Sequence, residues 1–171
     1  MEEKVSTARV ALKYGVLVAV VIMVYTTIIN IAGLSQNQAL SSVQFVFMIA
    51  AIVMAMKEFR AQNKGYMSYG EGLGLGTLLS AVMGLLVSMF SSFYNRFIDP
   101  TILTQALDKV RMDMEKRGMD DAQIDMSMEQ AQKFMSPGIM FFTGVLMTIL
   151  TGFIVSLVIA AIIRRDKPVF E

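Results

Sequence analysis

Charged residues are absent from four long stretches of this chain and crowd into the segments between them. The first apolar stretch runs from Tyr14 to Leu34, the second from Leu40 to Met56, the third from Gly72 to Tyr94 and the fourth from Gly138 to Ile163. Crossing about 30 Å of hydrocarbon takes roughly 20 apolar residues, so each stretch reads as a transmembrane segment. Hydrocarbon offers the backbone no water to bond, which makes the segments helices. The second is the shortest and is expected to sit most upright. A cleavable signal peptide competes for the first stretch, but its apolar core would span about 7–15 residues before a small-x-small cut site. Here Val16 to Ile29 is unbroken and Ala32-Gly33-Leu34-Ser35 fits that site poorly, so the helix is read as retained.

End signals agree with these boundaries. Ser68-x-x-Glu71 has the form of a capping box at the start of the third helix, which makes Glu71 a capping residue rather than a functional carboxylate. Ser136-Pro137 places an N-cap and an N1 proline before the fourth. Lys4, Arg9 and Lys13 precede the first helix, Lys57, Arg60 and Lys64 follow the second, and Arg164, Arg165 and Lys167 follow the fourth; the first connection has no basic residue. Lysine and arginine stay on the cytoplasmic side, so four crossings leave both termini there.

The third connection, residues 95–136, then lies outside. It holds six basic and eight acidic residues, and long loops translocate with little regard to charge. It also carries structure. Asp99-Pro100 starts a helix, Gly118 ends it, and Asp120-x-x-Gln123 opens another. Leu103, Leu107, Val110 and Met114 form one apolar stripe; Ile124, Met128, Ala131 and Met135 form a second. The stripes either bury each other, lie on the membrane surface or dock a partner. The expected architecture is an all-α integral membrane four-helix bundle, one domain over residues 1–171. An extracytoplasmic amphipathic helical hairpin sits between helices three and four.

Two lines of small residues stand out within the spans. Gly72, Gly76, Ser80, Gly84, Ser88 and Ser92 recur at every fourth position of the third helix, and Gly144, Thr148, Gly152, Ser156 and Ala160 do so in the fourth. Lipid tails are as apolar as leucine, so membrane helices associate by close packing, which small residues allow. The lines point to packing of helices three and four on each other, with dimerisation as the competing use. At about 3.6 residues per turn such a line drifts roughly 40° per step, so one straight partner is not expected to touch all of it. No charge lies near the centre of a span, which argues against an ion or proton path. Asn30, near the outer end of the first helix, is expected to bond another helix.

Composition narrows the chemistry. Of 171 residues, 55% are hydrophobic and 17% charged, against about a quarter charged in soluble domains; mean hydropathy is +0.58. The net charge of +1 provides no field for nucleic acid. With no cysteine or histidine, thiolate, disulfide and histidine-based chemistry are unavailable. Sixteen methionines include the pairs Met54/Met56, Met112/Met114 and Met126/Met128, but two residues along a helix is about 200° around it, which disfavours one shared soft metal ion. Gly70-Glu71-Gly72-Leu73-Gly74-Leu75-Gly76 superficially suggests a phosphate loop, yet a membrane helix follows it and no strand precedes it. No catalytic, cofactor or metal residues are assigned.

The chain resembles the bacterial domain-of-unknown-function family numbered four-one-nine-nine. The likeness rests on Lys57-Glu58-Phe59-Arg60, on Gly65-Tyr66-Met67-Ser68-Tyr69-Gly70-Glu71, on Tyr94-Asn95-Arg96-Phe97-Ile98-Asp99-Pro100 and on Ser136-Pro137-Gly138, in that order. The resemblance implies a small four-helix protein of the bacterial inner membrane without assigned activity. The expected role is non-enzymatic, exercised in the lipid bilayer through helix packing and through a membrane-protein partner or a homo-oligomer. The alternative is a small-molecule or ion permease working as an oligomer.

Overall fold

The structure is a computed structural model and describes residues 6–167, so Lys4 of the basic leader lies outside the described residues. Six α-helices follow one another: α1 (Thr7–Ile31), α2 (Gln38–Gln62), α3 (Tyr69–Phe93), α4 (Thr101–Lys116), α5 (Asp121–Phe134) and α6 (Pro137–Ile163). A π-helical turn, Tyr94–Ile98, extends α3. No strand occurs among the described residues; Met67 and Arg165 form one isolated antiparallel bridge. Four helices are long and apolar enough to cross a membrane: α1, α2, α3 with its π turn, and α6.

Helix limits differ from the apolar runs in an instructive way. α2 is not the shortest span: at 25 residues it equals α1 and α3. Lys57, Glu58, Arg60 and Gln62 end its apolar run but are good helix formers, so the helix continues through them. It stops where Lys64 and Gly65 take positive φ, 56° and 87°. The capping box at α3 is formed in both directions, with the Ser68 N–H donating to the Glu71 carboxylate at 2.8 Å and the Glu71 N–H donating to Ser68 Oγ at 3.3 Å. Asp120 accepts from the Gln123 N–H at 2.8 Å to open α5.

α3 lies at the centre, packed along α6 on one side and α1 on the other, while α2 touches α1, α3 and α6. Between α3 and α6 the small residues meet in antiparallel register. A Cβ on Gly72 would lie 3.0 Å from Ala160 Cβ, and one on Gly84 would lie 2.9 Å from Thr148 Cβ. Ser156 Oγ fills the space in front of Gly76, Ser80 that in front of Gly152, and Ser88 Oγ that in front of Gly144. Five successive positions of the α3 line therefore face α6, more than a straight partner would reach. Both lines drift in the same sense, so contact over this length requires the helices to wrap around each other. Gly15 makes a similar close approach from α1, where a Cβ would lie 2.9 Å from Val82 Cβ.

Outward from this seam the helices are apolar too. On α6, Phe142, Leu146, Leu150, Ile154, Val158 and Ile162 are all exposed on the face opposite the small line. Water would penalise such a surface, whereas lipid would not.

Candidate functional site

The two ends of the bundle are built differently. At the end carrying the α2–α3 connection and the start of α1, called here the basic end, polar groups staple the helices. Glu58 of α2 takes Lys13 Nζ at 2.8 Å on each carboxylate oxygen, Tyr14 Oη–H at 2.6 Å and Gln62 Nε2–H at 2.8 Å. Its carboxylate is saturated by partners and serves as a joint between α1 and α2. Arg60 donates to the Ile163 carbonyl, 3.1 Å, at the end of α6. Met67 and Arg165 exchange two backbone hydrogen bonds, Met67 N–H to Arg165 O at 2.9 Å and the return at 2.8 Å. Phe59 and Met67 are fully buried beneath these contacts.

The far end is open. The α3–α6 register places Met140 across from Ser92, one step beyond the Ser88–Gly144 contact. The α3 line continues there with a small residue, but the α6 line does not. Both residues line a cavity of about 500 Å³ that opens between the end of α3, the start of α4 and the start of α6. The π turn shapes its rim: the Asp99 N–H reaches the Tyr94 carbonyl at 3.0 Å, five residues back. Such a widened turn shifts the side chains that follow it around the axis, and π turns are frequent at functional sites. Asn95 and Arg96, within the turn, line the cavity together with Ser88, Ser91 and Ser92. Val87, Leu103, Met135 and Met140 supply its apolar wall. The lining residues include no carboxylate.

A second cavity of about 320 Å³ lies on the other side of the same seam, between α2 and α6, with Gln44, Met48, Met147 and Thr151 in its walls. Val87, Gly144 and Thr148 border both cavities. A polar recess of about 100 Å³ between α1 and α2 contains Asn30. The helix-to-helix bond expected of Asn30 is instead made by Tyr25, whose hydroxyl donates to the Leu40 carbonyl at 2.9 Å.

α4 and α5, which carry the two apolar stripes, touch each other. Ile124 is buried, and Leu103, Leu107, Val110, Met114 and Met128 are half-buried. α4 itself has no buried residue. Its reach to the spans includes Lys109, which donates to the Gln36 carbonyl at 3.0 Å in the α1–α2 connection. The methionine pairs diverge as helical spacing demands: Met54 is exposed and Met56 fully buried.

Sequence reasoning missed the cavity and the Glu58 joint. The cavity depends on where one small-residue line ends against the other, and the joint on two helices placing Lys13 and Glu58 at one depth. The signals were present as the missing small residue at Met140 and as opposite charges at the same end of adjacent spans.

These features define an all-helical chain with four helices long and apolar enough to span a membrane, closed at one end and open at the other. No curated protein and no solved structure matches the chain. Residues 13–165 match the family described as "Protein of unknown function (DUF4199)", and the chain belongs to that family. The segments that carry the resemblance lie at both ends. Glu58, Phe59, Arg60 and Met67 lock the basic end, while Asn95, Arg96, Pro100 and Pro137 surround the cavity.

Proposed function

We propose that this chain is a non-enzymatic multi-pass protein of the bacterial inner membrane that acts by engaging a partner at its far end. Both termini lie in the cytoplasm and the α4–α5 pair lies outside. The orientation is supported by the nine basic residues in the leader, the second connection and the tail, against none in the first connection. The non-enzymatic reading is supported by Glu58, whose carboxylate is taken up by Lys13, Tyr14 and Gln62 as a joint between α1 and α2.

The observation that carries the reading is the incomplete burial of α4 and α5. Two amphipathic helices are held in place, yet Ile124 is the single buried residue between them among the described residues. Stripes that served only each other would bury more of their members. A partner protein or a second copy of the chain would complete the burial. The test replaces residues 101–135 with a short Gly/Ser linker in the full chain. The shortened protein should insert and remain folded in mild detergent while losing the assembly size or co-purifying protein of the intact chain. An unchanged assembly would refute the reading.

The permease reading draws on the two far-end cavities, which give it an outward-facing recess. Its inner closure is the Gly76–Ser156 and Ser80–Gly152 contact, which would have to part for transport. Solute flux across liposomes loaded with the protein separates the two readings.

A further inference from the structure

We infer that the far-end cavity is a binding site for an anionic amphiphile, an aliphatic chain bearing a carboxylate or phosphate. The inference stands on the composition of the cavity and does not depend on which side of the membrane it faces or on a protein partner.

Three hydroxyls elsewhere in these helices bond back along their own backbone, Ser80 to the Gly76 carbonyl at 2.9 Å, Thr77 to Leu73 at 2.8 Å and Thr148 to Gly144 at 2.8 Å, while Ser156 Oγ is buried in the seam without a hydrogen-bond partner. Ser88, Ser91 and Ser92 make no such bond, and neither does the Asn95 side-chain amide, among the described residues. The Arg96 guanidinium rests 5.7 Å from the ring centre of Phe97 and has no carboxylate partner among the described residues. One cation and four hydrogen-bonding side chains thus converge on one space with their capacity unused. Arginine presents a planar fork suited to carboxylate or phosphate, and no carboxylate lines the cavity to compete for it there.

Most of the remaining wall is apolar, led by Val87, Leu103, Met135 and Met140, and the one further hydroxyl, that of Thr148, is engaged by the Gly144 carbonyl. A volume of about 500 Å³ falls within the usual range for small-molecule sites, roughly 300–1,000 Å³. A free inorganic anion would leave the apolar wall without a partner, and a plain hydrocarbon would leave Arg96 and the hydroxyls without one. An amphiphile satisfies both. The cavity also lies where α3 ends and α6 begins, the depth at which head groups meet hydrocarbon once these helices span a bilayer. Methionine side chains adapt their shape to irregular chains, which suits a flexible aliphatic occupant.

The test titrates the purified full-length protein in neutral detergent with oleate and, in parallel, with oleyl alcohol, counting bound molecules by native mass spectrometry. One oleate should bind, preferred about tenfold or more over the alcohol, as one charge-assisted contact implies. Arg96→Gln should remove that preference, Arg96→Lys should retain part of it, and neither should change the thermal unfolding temperature, since Arg96 is exposed. Met140→Trp, which fills the cavity, should reduce oleate uptake. Nanodiscs containing phosphatidylglycerol and phosphatidylcholine distinguish the source. Phosphatidylglycerol retained by the wild type and lost in Arg96→Gln identifies a bilayer lipid, whereas oleate uptake without retained phospholipid identifies a free acid; both uphold the site. Equal binding of oleate and oleyl alcohol, or undiminished oleate binding in Arg96→Gln, overturns it.

Discussion

Replacing Gly76 with alanine tests whether the α3–α6 seam is set by volume. The added methyl would meet Ser156 Oγ, with Ser156 Cβ at 2.8 Å and Met56 Cε at 3.3 Å. The hydroxyl could rotate away and the methionine tip could yield, but the Ser156 Cβ is fixed to the α6 backbone, so the helices must part. Overpacking of this kind costs about 1–3 kcal/mol. Alanine also gains about 0.5–1 kcal/mol over glycine within a helix, which masks part of the clash. Gly74 supplies the control, because it lies on the same helix with nothing within 4 Å of its absent Cβ. Gly74→Ala should therefore show the helix gain alone. At roughly 2–4 °C per kcal/mol for a chain of this size, the two variants should differ in unfolding temperature by about 2–12 °C, Gly76→Ala being the lower. Thermal unfolding in one detergent, followed by helical circular dichroism, measures the gap. Adding Ser156→Gly to Gly76→Ala returns the lost space from the other side and should recover most of the deficit, a coupling that single variants cannot reveal. If Gly74→Ala and Gly76→Ala shift the midpoint equally, or the double variant recovers nothing, the seam is not governed by volume.

Three further outcomes are expected. A reporter fused after Glu171 should be active only in the cytoplasm and one inserted at Gly118 only outside; both sites accessible from one side would refute the four-crossing orientation. Glu58→Ala removes the acceptor of Lys13, Tyr14 and Gln62 and should lower stability by about 1 kcal/mol, read as a fall in unfolding temperature, because the Lys13 side chain is 57% exposed and such pairs contribute little. Ile124→Ala should loosen α5 while leaving the spans intact, seen as faster amide exchange over residues 121–134 at an unchanged global midpoint; a fall of that midpoint would mean that α5 is integral to the bundle.

How much could be read from the amino acids alone follows from the range of each interaction. The spans, the capping box at Ser68 and Glu71 and the Asp120 cap of α5 are local matters of hydropathy, φ preference and side-chain reach, so they are legible without tertiary structure. The two small-residue lines were equally visible, since a period of four is a one-dimensional pattern. Their mutual register was not. It depends on α6 lying antiparallel to α3 so that Gly76 meets Ser156 and Ser80 meets Gly152, and on both helices wrapping with the drift of the lines. Gly15 against Val82 left no pattern at all, because a lone glycine in an apolar run gives no hint of which helix approaches it. The cavity is a consequence of the register and of the π turn together: where Met140 replaces the next small residue the helices separate, and Tyr94–Ile98 brings Asn95 and Arg96 to the gap. Sequence by itself determined that the chain makes four apolar helices with an ordered connection between the last two. Only the tertiary structure decided where those helices close and where they leave room for something else, because close packing is a relation between surfaces that no single segment contains.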